Sequence, residues 1–269
     1  MEKFTFKDFL IATLFLVIIA CGTKGADPKI EMENSYKEFL KAINAKDETA
    51  LKNTMSAVAY MKMKNAMTSA KMEFPKTLFE SASDFELNNA KLDFIKVLEK
   101  GCCGEIIYYD PKEEHAVILK FLKENEGWKF SGIEMYGTEE LTKKAKAKDF
   151  SFLEDEKFKL DSIAPKIEKE IAPVDYVAML DRSGEYKISI WVNDIKQDVT
   201  DGGSKSGILI GGVKKGKNTI EIKLESLAVE KGGSISVTVR ALIGNTQSEV
   251  FTLTEETPPP KIIEEFTVQ

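Results

Sequence analysis

Histidine occurs once among the 269 residues, as His115, tryptophan twice, as Trp128 and Trp191, and cysteine three times, as Cys21, Cys102 and Cys103. That scarcity excludes a disulfide-stapled small domain, and it leaves a zinc site built on Cys102, Cys103 and His115 short of ligands. Positive charge is also in deficit, with 38 Lys and Arg against 44 Asp and Glu, a net charge of −6. A nucleic-acid backbone is repelled overall, so DNA and RNA are excluded as expected partners. Long hydrophobic runs are missing too. The run Phe9–Ala20, FLIATLFLVIIA, stops after twelve residues, short of the roughly 20 that a membrane-spanning helix needs and inside the range of a signal-peptide apolar region.

What ends that run is informative. Ile18-Ile19-Ala20 followed by Cys21 resembles the lipobox of bacterial lipoproteins, in which aliphatic residues and a small one precede an acylated cysteine. The resemblance implies cleavage between Ala20 and Cys21, a lipid thioether on Cys21, and palmitate-type chains that hold the mature protein at a bilayer. Each buried methylene adds about 0.8 kcal/mol, so two or three chains anchor a domain firmly. Gly22 follows instead of Asp, which favours the outer membrane where two membranes are present. A secretory leader with an incidental cysteine, or an uncleaved anchor, are the alternatives. Removing residues 1–20 leaves the charge at −6, because Glu2 and Asp8 balance Lys3 and Lys7. The remainder is long enough for two domains of ordinary size.

The fold expected is α+β: helices plus a curved antiparallel sheet, followed by an all-β domain. A tether covers 21–28 and the α+β domain 29–138. In it, Tyr36, Phe39, Leu40 and Ile43 recur at helical spacing, and Asp47 is placed to cap the next helix. From Lys91 the period becomes two through "LDFIKVLEK", "GEIIYYD", "HAVILKFLKEN" and "GWKFSGIEMYG", which predicts strands joined by hairpins. Residues 139–172 are strongly charged; the first part reads as a short polar helix and the remainder as a linker or a first edge strand. Residues 173–269 are β throughout, in "DYVAML", "YKISIWV", "GILIGGV", "NTIEIKLESLAV", "SISVTVRAL" and "EVFTLTE", with a Pro-rich segment before a last strand from Ile262 to Val268.

Helices followed by a curled sheet that closes on "LKENEGWKFSGIEMYG" resemble the cone-shaped nuclear-transport-factor-2-like fold, which also houses ketosteroid-isomerase-like and SnoaL-like enzymes. The resemblance covers residues 29–138 and carries no catalytic residue. The second half is similar to extracellular sandwich modules of immunoglobulin-like or jelly-roll-like form.

If the first domain is a cone, Tyr60, Tyr108, Tyr109 and His115 are the polar groups best suited to line its pocket. An isomerase- or hydratase-like enzyme would add a carboxylate base, for which Asp93 and Asp110 are available. Cys102 and Cys103 read as free thiols, a vicinal disulfide or a metal pair. Met55, Met61, Met63, Met67 and Met72 read as adaptable packing, with soft-metal binding as the alternative. Trp191 and Asn193 share the strand face opposite Ile190 and Val192, a candidate surface for a sugar or a protein. Asp198 and Asp201 fit turn chemistry and match no calcium loop. The expectation is a membrane-anchored envelope protein that binds a protein, a glycan or a small ligand without a cofactor, a metal or catalysis, with a lipid-tethered enzyme or a structural component as alternatives.

Overall fold

The computed structural model describes residues 27–87, 91–125, 127–155, 158–197, 200–226 and 233–269. Helix α1, Pro28–Ala45, begins where the Asp27 side chain accepts from the Lys29 amide at 3.0 Å and a proline fills the first turn. Its buried stripe is Met32, Tyr36, Phe39, Ala42 and Ile43. Asp47 caps α2, Glu48–Thr54, through the Ala50 amide at 2.9 Å, and Ser56 caps α3, Ala57–Ser69. A short α4 follows at Lys76–Glu80.

Strands β1 (Asp93–Lys100), β2 (Cys103–Asp110), β3 (His115–Glu124) and β4 (Gly127–Tyr136) form an antiparallel sheet in sequence order. Because strand side chains alternate, the sheet has two different faces. One carries Ile106, Leu119, Phe121 and Phe130 against the buried stripe of α1. The other carries Ile107, Tyr109, Ala116 and Ile118.

The first part of the charged stretch is a short helix, and with the segment after it, expected as a linker or edge strand, it covers that second face. Helix α5, Glu139–Lys146, places Leu141 and Ala145 one turn apart on the sheet, and Phe152 and Phe158 complete the cover. Four apolar residues set among lysines and glutamates are enough to dock the segment. Among the described residues no strand forms between 139 and 172.

The β unit also departs from the expected strand list. "DYVAML" and "YKISIWV" are parts of one strand, β5, Ala178–Val192. Its first half pairs with β9 (Ile235–Ile243) and its second half with β8 (Gly216–Ser226). Gly184 lies where the change of partner occurs, and a Cβ there would stand 2.8 Å from the Ser234 carbonyl oxygen. Strand β6, Ile195–Lys196, folds back on β5. Strand β7, Thr200–Ile208, pairs along β5 where the sequence suggested a polar turn, so Asp201 is a ladder residue opposite Lys187. A strand this polar survives because β5 supplies the whole ladder. Asp198 lies outside the described residues.

With β10 (Thr246–Glu255) and β11 (Lys261–Val268), the sheet order is β10-β9-β5-β8-β11. The two ends approach each other through the rings of Phe251 and Phe266, 5.4 Å apart, so the sheet is nearly closed into a barrel. Leu180, Ile188, Ile190, Val192, Ile220, Ile222, Val237 and Val239 fill it.

Candidate functional site

The helix side of the four-stranded sheet is occupied by aromatic side chains. Phe130 lies 4.2 Å from Phe39 and 6.0 Å from Phe121, centroid to centroid, and all three are fully buried. The four candidate pocket residues do not converge. Tyr108 and Tyr109 are successive in β2 and therefore point to opposite faces. Tyr108 donates to Glu33 Oε1 at 3.0 Å, and that carboxylate also meets Lys29 at 3.3 Å. Burial first, and then Glu33, hold the Tyr108 hydroxyl well above the ordinary phenol value. Tyr109 is buried under α5, and its hydroxyl has no hydrogen-bond partner among the described residues. Tyr60 stacks edge-on to Phe74 at 5.0 Å, and its hydroxyl is raised by burial and by Glu48. His115 stands at the start of β3, with Nδ1 3.2 Å from the Glu113 carbonyl oxygen.

Asp110 accepts from the amides of Lys112 and Glu113 at 2.9 and 3.2 Å; burial opposes its ionisation, but those donors bring its carboxyl below the usual range. It closes the β2–β3 turn, opposite His115 in the register. Met55, Met63 and Met67 pack into the helix-side core, and Met72 is exposed. Among the described residues no group of three or more His, Cys, Asp or Glu is placed to hold a metal ion.

On the β unit, Trp191 lies in β5 opposite Glu221 of β8. It is half-buried on the outward face, with Lys223 Nζ 4.5 Å and Lys196 Nζ 5.7 Å from its ring centroid. Glu221 pairs with Trp191 on one side and with Ile263 on the other, and Ile263 is 58 % exposed. These residues border a groove of about 370 Å³ with Asp194 and Thr219. Asn193 is not part of that surface. Its amide donates to Asn218 Oδ1 at 2.9 Å and accepts from the Thr219 amide at 3.1 Å, and its backbone takes the left-handed form, φ 49°. Asn193 and Asp194, φ 66°, build the two-residue turn between β5 and β6.

The same turn borders a larger cleft on its other side. A cavity of about 860 Å³ opens between the end of α3, an extended strap at 168–175, the β5–β6 hairpin and the Ile210–Lys214 loop. Its walls are fixed by buried amides. Asn65, 1 % exposed, donates to the Lys169 carbonyl at 2.9 Å and to Glu168 Oε2 at 3.2 Å, and accepts from the Ile171 amide at 3.2 Å. One turn on, Ser69 Oγ donates to the Asn65 carbonyl at 2.7 Å and accepts from the Gly211 amide at 2.9 Å. Gln197 clamps Ile210 from both sides, its Nε2 donating to the Ile210 carbonyl at 3.1 Å and its Oε1 accepting from the Ile210 amide at 2.9 Å. Lys64 and Glu170 add an ion pair at 2.8 Å. Sequence reasoning missed this cleft. Its one local signal was Asn65 and Ser69 sharing a helix face, and that says nothing about what they bind.

A second missed group is Glu105, which shares its sheet face with Ile107 and Tyr109. It is 6 % exposed, its Oε2 has no partner among the described residues, and Lys120 Nζ stands 3.8 Å from Oε1 while pairing more closely, at 2.6 Å, with Glu134. Burial pushes the Glu105 carboxyl up to about 7 against the pull of Lys120.

Ala20 and Cys21 lie outside the described residues, and among the described residues no helix is long and apolar enough to cross a membrane. Compared with family models, curated proteins and solved structures, the chain matches none.

Proposed function

We propose that this chain is a lipid-tethered envelope protein, held at a bilayer through Cys21, that binds a ligand without transforming it. The observation that carries the reading is the cleft between the two units. It has ligand-pocket size, and its walls are set before anything binds because Asn65, Ser69 and Gln197 already satisfy the backbone around it. The Trp191 groove lies on the far side of the same hairpin and extends the surface available to a protein or glycan. In this reading the first unit is a cone-like domain of nuclear-transport-factor-2-like type whose concavity is plugged by Phe39, Phe121 and Phe130, and the β unit is a sandwich folded about the change of partner in β5. An enzymatic reading has the Tyr108–Glu33 pair to work with, and Lys29 already holds that carboxylate.

The test is a pull-down from native envelope using the acylated protein, an Ala172→Trp variant that fills the cleft, and a Trp191→Ala variant. A specific partner lost with Ala172→Trp supports the cleft, and one lost with Trp191→Ala supports the groove. Retention by both variants overturns the binding reading. Palmitate labelling of Cys21→Ser tests the tether, and continued incorporation refutes it.

A further inference from the structure

Side chains of neighbouring residues in a regular strand leave on opposite faces. Cys102 and Cys103 do not follow that rule. Lys100 pairs with Cys103, so Gly101 and Cys102 form the two-residue turn between β1 and β2, with Gly101 at φ 62°. In the turn the Cys102 sulfur swings round to 3.9 Å from Cys103 Sγ. Cys102 is half-buried and Cys103 is buried.

The turn is also a docking point. Lys100 Nζ donates to the Leu160 carbonyl at 3.0 Å, and Cys102 Sγ donates to the Ser162 carbonyl at 3.7 Å. A Cβ on Gly101 would meet that same Ser162 oxygen at 2.3 Å, so the segment sits directly on the turn. Beyond Ser162 the chain continues into the strap that walls the cleft.

We propose that Cys102 and Cys103 form a vicinal thiol–disulfide couple, and that its oxidation by a disulfide-bearing oxidant breaks the contact of the β1–β2 turn with Ser162 and loosens the segment that Lys100 still holds. The physiological oxidant rests on the envelope location proposed above, since cytosolic thiols are kept reduced. Cys102, the accessible partner, gives up its proton and attacks one sulfur of RSSR, forming a mixed disulfide and expelling RS⁻, which is protonated to RSH. Cys103 then loses its proton as its sulfur displaces the second RS group. One sulfur–sulfur bond is made and one broken, two S–H protons end on two RSH, and two electrons pass from the cysteines to the oxidant. Burial first, and then Cys102 and Asp161, push the Cys103 thiol up to about 11, which keeps it protonated until the mixed disulfide brings the reaction to it.

Two consequences follow from the chemistry. Oxidation consumes the S–H that donates to Ser162 and draws the sulfur toward Cys103. Adjacent Cα atoms, about 3.8 Å apart, fall below the ordinary disulfide range, so the bond is strained and readily reduced, as a reversible switch requires.

The experiment uses the full-length acylated protein in glutathione buffers graded from reducing to oxidising, followed by maleimide blocking, peptide mapping and limited trypsin digestion. The expected result is a peptide containing Cys102 and Cys103 that loses two hydrogens, takes up no maleimide and reverts on reduction. Cleavage after Lys159 or Lys166, on either side of Ser162, should then be roughly two- to fivefold faster, the effect of losing one weak S–H contact. A Cys103→Ser variant should trap glutathione on Cys102. Both thiols alkylated at the oxidising limit, glutathione retained on Cys102 of the unsubstituted protein, or unchanged cleavage after the bond has formed would each overturn the proposal. Cys21 lies on a different peptide, so a missing acyl group counts against the envelope reading without altering this outcome.

Discussion

Glu105→Gln should stabilise the protein above neutrality and leave it nearly unchanged in acid. Glu105 is buried on the α5-covered face of the sheet with one oxygen unpartnered, and its carboxyl is raised from 4.5 to about 7 in the fold. A raised carboxyl binds its proton more tightly folded than unfolded. Its contribution is therefore neutral below about pH 4.5, becomes unfavourable as pH rises through that value toward 7, and is fully unfavourable above 7. A shift of this size corresponds to about 3 kcal/mol, of which relaxation and water entry leave about 1–2. Lys120 does not cancel it, because its ammonium sits closer to Glu134 than to Glu105. The assay is urea unfolding of both proteins at about pH 4.5 and about pH 8. Any constant cost of the buried amide cancels in the difference between the two pH values. The stability gap should move toward the variant by about 1–2 kcal/mol on going to the higher pH. No change, or a move toward the unsubstituted protein, would show that Glu105 is ionised and held by Lys120, and the reasoning would fail.

Asn65→Ala removes three hydrogen bonds to the strap and leaves the Ile171 amide without its acceptor. It should cost about 1–3 kcal/mol and make residues 163–175 the first site of limited proteolysis, with the helix-side core unaffected. Phe130→Ala empties the centre of the aromatic cluster formed with Phe39, Phe121 and Tyr36. It should cost about 3–5 kcal/mol in urea unfolding, and a value under about 1 kcal/mol would mean that the helix side of the sheet is not packed as described.

The residues that succeeded as sequence signals act over short range. Tyr36, Phe39 and Ile43 mark the buried stripe of α1, and Asp47 caps α2, because a helix turn and a cap are settled within four residues. The four hairpin strands after Lys91 and the final strand near Ile262 were legible for the same reason, since alternation repeats every two residues. The misreadings were of a different kind. "TDGGSKSG" carries the composition of a turn and is a strand only because β5 offers it an edge. The part of the charged stretch after α5 carries the composition of a linker and docks through Phe152 and Phe158 only because β2 and β3 present an apolar second face. Of the proposed site, Trp191 could be placed by alternation alone, whereas Asn65 and residues 168–175 could not, because they meet across more than a hundred residues of chain.

The sequence by itself determined the helix stripe, the caps, the strand alternation and the α+β class, all products of local sterics and periodic burial. Tertiary structure alone decided that aromatic rings fill the helix side of the first sheet, that one strand joins both halves of the β unit, and that the two units enclose a cleft. Those outcomes depend on which distant surfaces exclude water together, and no neighbouring residue carries that information.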